Sequence, residues 1–122
     1  MRKLTLSALA VFAIALAAVP LASAQTDRQA RATATTIQVS GGEFFFKLST
    51  KTVAKPGTVT FVFKNVGHVA HDFKIHGKVT PLLQPGKTAK LVVKFTTKGK
   101  FPYLCTVPGH AALGMHGTVT VR

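Results

Sequence analysis

Lys55-Pro-Gly-Thr-Val-Thr-Phe-Val-Phe-Lys64 is the stretch on which the fold is read. Pro56 presets φ and Gly57 tolerates conformations closed to other residues, so Lys55-Pro56-Gly57 reads as a turn. In the run that follows, Val59, Phe61 and Phe63 fall on every second position. A period of two places all three on one face of a β-strand.

Outward from that strand the same grammar recurs. Upstream, Ile37 and Val39 alternate with polar neighbours, and Gly41-Gly42 interrupts the run before Phe44, Phe45 and Phe46. Downstream, Asn65-Val66-Gly67 is a turn, His71 to Ile75 a short strand, and Gln84-Pro85-Gly86-Lys87 a second Pro-Gly turn. Leu91, Val93 and Phe95 alternate, Gly99 precedes a strand from Phe101 to Cys105, and Thr118 to Arg122 closes the chain with Val119 and Val121 on one face. Seven or eight short strands at a spacing of roughly 8–12 residues predict an all-β antiparallel sandwich or barrel. After residue 24 there is no convincing helical period, internal repeat or low-complexity tract.

The N-terminus reads differently. Arg2 and Lys3 precede an apolar run from Leu4 to Val19, followed by Pro20 and the small residues Ala22, Ser23 and Ala24. A positive start, an apolar centre and an A-x-A-like cleavage site predict a secretory signal peptide over 1–24. An uncleaved membrane anchor is the competing reading, because the apolar run is about long enough to span a bilayer. Residues 25–35 are polar, without apolar periodicity, and are expected to form a flexible leader; the domain is expected over 36–122. Taking 24 residues from 122 leaves 98, enough for one core and not two.

Without Arg2 and Lys3, 14 basic residues face the three acids Asp27, Glu43 and Asp72, a mature charge of +11. Such a surface raises encounter rates with acidic proteins, anionic lipid headgroups or polyanions. Nucleic acid is not the expected partner: the chain reads as exported, its lysines are dispersed, and it carries no recognition motif. Lys47, Lys51, Lys55, Lys90, Lys94 and Lys98 are expected to keep strands soluble and guard sheet edges. Exported chains normally use cysteines in pairs, yet Cys105 stands alone. It is either an inert buried thiol or a residue retained for its chemistry.

The segment Tyr103-Leu-Cys-Thr-Val-Pro-Gly-His-Ala-Ala-Leu-Gly-Met-His116 favours chemistry. It sets Cys105, His110 and Met115 in order with four residues between each, on a loop joining two predicted strands. The Pro-Gly and Leu-Gly turns let that loop fold back and bring a thiolate, an imidazole and a thioether to one point. A second imidazole must come from elsewhere, and His71 is placed for it, just after the Asn65-Val66-Gly67 turn. Singly, each residue has a structural explanation: Cys and Met fill cores, and an isolated His satisfies local hydrogen bonds. Their joint spacing has no such explanation. Two His, one Cys and a weak axial Met are the donors of blue-copper electron-transfer sites, where soft sulfur stabilises Cu(I) and imidazole accommodates both oxidation states.

From the Phe-rich second strand through Asn-Val-Gly-His-Val-Ala-His-Asp-Phe to the final Gly-Met-His-Gly-Thr-Val-Thr-Val, residues 36–122 resemble the cupredoxins, the family of plastocyanin, amicyanin, pseudoazurin, azurin and auracyanin. The loop lengths look most like those of auracyanin. The resemblance implies a Greek-key β-sandwich with one type 1 copper ion at one end, bound by His71, Cys105, His110 and, axially, Met115. It also implies that the His110 edge emerges through an apolar docking patch, here formed by Gly67, Pro108, Ala111, Ala112 and Leu113. Many relatives have an Asn after the first His, tying the ligand loops together; Asp72 stands there in this chain, and an acid beside copper alters its hydrogen bonding and potential.

Three further imidazoles compete for the role. His68 could serve as the ligand if its loop ran differently, His116 is expected to face away from Met115, and His76 reads as a surface residue at a strand end. The expected function is that of a monomeric, exported or periplasmic one-electron carrier between redox partners with acidic docking surfaces, not an enzyme. Peripheral contact with an anionic membrane is compatible with the charge. Copper storage or delivery is the alternative. An oxidase or nitrite reductase would need further His clusters, which the chain lacks.

Overall fold

The computed structural model describes residues 34–122. The expected signal peptide (1–24) and all but the last two residues of the expected leader (25–35) lie outside the described residues. Nine strands are present among them: β1 (Thr35–Gly42), β2 (Phe45–Leu48), β3 (Thr52–Val53), β4 (Gly57–Asn65), β5 (Lys74–Ile75), β6 (Lys78–Val79), β7 (Thr88–Phe95), β8 (Gly99–Leu104) and β9 (His116–Val121). The first begins at Thr35, one residue before the expected boundary.

They form a sandwich of a four-stranded sheet, β2-β1-β4-β7, and a five-stranded sheet, β3-β9-β8-β5-β6. Most pairings are antiparallel, as alternation and short turns favour, but β1 with β4 and β3 with β9 are parallel. β1 and β4 are not themselves joined by a hairpin. The chain leaves β1, adds β2 at the sheet edge, visits β3 in the other sheet and returns as β4 on the inner side of β1. That route brings the C-terminal ends of β1 and β4 together, with Gly41 opposite Asn65.

The core follows from the alternation. In β4, Val59, Phe61 and Phe63 are buried while the intervening side chains are not, and β7 buries Leu91, Val93 and Phe95 in the same way. Ile37 and Val39 of β1, Tyr103 of β8, and Val119 and Val121 of β9 meet them. Burial of each such side chain stabilises the fold by about 1.5–3 kcal/mol. Phe73 lies at the centre, with ring centroids 5.3 Å from Phe46 and Phe61, 5.5 Å from Tyr103 and 6.2 Å from Phe63.

The short strand expected from His71 to Ile75 is shorter still. Only Lys74 and Ile75 belong to β5, because the preceding backbone groups are taken elsewhere. His71 makes a single bridge to Leu83, and the Phe73 amide and carbonyl bind the hydroxyl and amide of Thr80.

Candidate metal centre

Asn65, fully buried at the end of β4, anchors the loop that carries His71. Its Nδ2 donates to the Val69 and Leu83 carbonyls, each at 2.8 Å, and its Oδ1 accepts the Gly67 amide at 2.9 Å. Leu83 in turn exchanges two backbone hydrogen bonds with His71, at 3.1 and 2.8 Å. Asn65 thus holds both strands of the His71–Leu83 bridge.

Cys105 arrives from the other sheet. Leu104 of β8 pairs with both Lys74 and His116, so Cys105 emerges beside Asp72 and opposite Met115. The Cys105 amide donates to the Met115 carbonyl at 3.1 Å. Asp72 joins the two loops: its Oδ1 accepts the Thr106 amide at 2.6 Å, and its Oδ2 accepts the Thr106 hydroxyl. The tie between the two ligand loops is made here by a carboxylate. Between Cys105 and Met115 the loop turns tightly, with Gly109 at φ +83°, and returns through a bond from the Met115 amide to the His110 carbonyl at 3.1 Å.

These anchors bring three donors to one point. His71 Nδ1 lies 3.1 Å from His110 Nδ1, and Cys105 Sγ lies 4.0 and 3.8 Å from those two nitrogens. All three atoms fall within 4.8 Å of one another; His71 and Cys105 are buried and His110 is half-buried. Met115 is fully buried at the foot of the same loop. Burial pushes the Cys105 thiol up from its ordinary value, opposed by amide hydrogen bonds from Asp72 and Val107. A site that disfavours the bare thiolate favours it once a cation shares the space. A soft thiolate with two imidazoles matches copper chemistry, so the donor set fits that metal.

The competing histidines lie apart. The His68 side chain is 96% exposed and faces Glu43. His116 is exposed, on the opposite side of the strand from buried Met115. His76 occupies the turn between β5 and β6 with φ +50°, its ring stacked on Phe95 at 5.3 Å.

Glu43 is the residue that the sequence reading passed over. Following β1 directly, its carboxylate accepts His71 Nε2 at 2.8 Å, the His68 amide at 2.9 and 3.0 Å, and the Val69 amide at 3.0 Å. The His71 imidazole, then the Val69 amide, hold its carboxyl well below the usual range, at about 2. No local pattern marks it, since 28 residues separate it from His71. Its one indirect sign is Gly67, where a Cβ would sit 2.8 Å from the Glu43 carboxylate carbon.

Residues 31–122 match the family described as copper binding proteins, plastocyanin/azurin family. The chain belongs to that family. Among similar proteins, a copper-resistant cuproprotein CopI of Rubrivivax gelatinosus is 33% identical over 98 residues, covering 63% of this chain and 59% of that protein. CopI of Pseudomonas aeruginosa is 26% identical, covering 77% of this chain and 80% of its own length. This chain therefore spans about three fifths of the first relative and four fifths of the second. The structure of dithionite-reduced auracyanin from Roseiflexus castenholzii superposes with a TM-score of 0.63 at 25% identity, over 72% of this chain and 97% of that one. Family and donor set together establish a type 1 copper site in a cupredoxin fold.

Proposed function

We propose that the chain is an exported one-electron carrier whose copper ion is held by His71, Cys105, His110 and the axial Met115. The observation that carries this reading is the convergence of one sulfur and two imidazole nitrogens within 4.8 Å, from two anchored loops. Copper, when bound, supplies a reversible one-electron change between Cu(I) and Cu(II).

The chain's own residues supply the rest. Cys105 gives up its proton to become a donor, while His71 and His110 present Nδ1 without one. Asp72 and Asn65 keep the segments from moving apart between oxidation states. Half-buried His110 is the ligand nearest solvent, and Leu113 on its loop is 62% exposed, which supports electron entry at that end. A mature charge of +11 supports partners with acidic docking faces, met by a monomer. Four protein donors leave no position for substrate, which supports a carrier over an enzyme. The copper-loaded protein is expected to absorb intensely in the visible and to reduce reversibly by one electron, and Cys105→Ser to abolish the colour. A colourless copper complex of the unaltered chain would overturn the reading.

Copper storage or delivery is the second reading, favoured by the relatives named copper-resistant cuproproteins. Cu(I) transfer to a chelator that outpaces electron self-exchange would decide for it.

A further inference from the structure

We propose that Glu43 is a positioning residue for the copper centre, its carboxylate fixing the tautomer, orientation and donor strength of the His71 imidazole. The inference rests on the reading of His71 as a metal ligand.

Parallel pairing of β1 with β4 sets the ends of the two strands side by side, with Gly41 opposite Asn65 and the Val66 amide bonded to the Gly41 carbonyl at 2.8 Å. The chain leaving β1 therefore runs against the loop leaving β4. Glu43 is held there by the His68 and Val69 amides, and Gly67 makes room for it. Its Oε1 then reaches His71 Nε2 at 2.8 Å.

An ionised carboxylate can only accept, so Nε2 carries the hydrogen and Nδ1 the lone pair. That lone pair points at His110 Nδ1 and Cys105 Sγ. His71 has no exposed surface while the Glu43 side chain is 26% exposed, so Glu43 stands between Nε2 and solvent. A carboxylate behind an imidazole raises its basicity, and the negative charge favours the more highly charged metal ion. Glu43 should therefore tighten Cu(II) more than Cu(I) and lower the reduction potential.

The test compares Glu43→Gln and Glu43→Ala with the unaltered chain, using Cu(II), Cu(I) and redox-silent Zn(II). Loss of such an outer partner weakens metal binding by about 10–100-fold. Glu43→Ala is expected to show that loss for Cu(II) and Zn(II), with a smaller loss for Cu(I) and a raised potential. Glu43→Gln keeps an acceptor without the charge, and should recover part of the Zn(II) affinity while its potential stays raised. In the Zn(II) protein, the His71 Nε2–H proton should exchange slowly in the unaltered chain and rapidly in Glu43→Ala. If Glu43 only braces the 67–69 backbone, both variants lose thermal stability while affinity and potential stay unchanged, and the proposal fails. Should Glu43→Ala not fold, Glu43→Gln decides through its potential. His71→Ala separates the two readings: if it leaves Zn(II) affinity intact, His71 is not a ligand and both fall. If it abolishes binding while the Glu43 variants match the unaltered chain, only the positioning role falls.

Discussion

Glu43 and Cys105 are perturbed in opposite senses, and each perturbation has a measurable pH consequence. Glu43 has a folded-state pKa of about 2 against an ordinary 4.5, chiefly through its bond to His71. A depressed carboxyl contributes stability that is present above the unfolded value and lost as pH falls through the folded one. Metal-free protein is therefore expected to lose stability progressively between about pH 4.5 and 2 in urea titrations, with the Glu43→Gln profile flatter over that window. Cys105 is raised by burial and is a thiol at neutral pH. Metal binding must displace its proton, so Zn(II) added in weak buffer near pH 7 should release about one proton more from the unaltered chain than from Cys105→Ala.

At the scale of elements, the end of β4 matters more than its length. Asn65 occupies the inward position that continues Val59, Phe61 and Phe63, and so is buried where an apolar residue would be expected. Its three side-chain bonds connect the β4 end, the Val69 turn and the Leu83 segment paired with His71. Asn65→Ala removes the side-chain partner of the Val69 carbonyl and the Gly67 amide and one of the two donors to the Leu83 carbonyl, and should cost about 2–4 kcal/mol in urea denaturation. Slackening of the His71–Leu83 bridge should also broaden the visible copper band. Asp72 plays the matching part between β5 and the Cys105 loop through Thr106. The β4 strand and the turn after it were legible, because periodicity and turn chemistry are written within a few residues. The role of Asn65 was not, since its partner Leu83 lies 18 residues away.

Over the whole molecule, charge and chain path act at long range. In the proposed carrier, a mature charge of +11 is expected to steer acidic partners, and the Debye length falls from about 10 Å at 0.1 M salt to 3 Å at 1 M. The bimolecular electron-transfer rate with an acidic partner should therefore fall steeply with ionic strength, as stopped-flow mixing would measure; a flat profile would exclude steering. The sequence by itself determined an all-β chain with inward-facing Val59, Phe61, Phe63, Leu91, Val93 and Phe95, and a loop on which Cys105, His110 and Met115 recur at one spacing. These features are local, carried by periods of two residues and by Pro-Gly turns. Only the tertiary structure decided that β1 and β4 run parallel, that Asp72 holds Thr106, and that Glu43 stands behind His71. Such contacts join segments distant along the chain, and they exist only after strand order has placed the ends of β1 and β4 together.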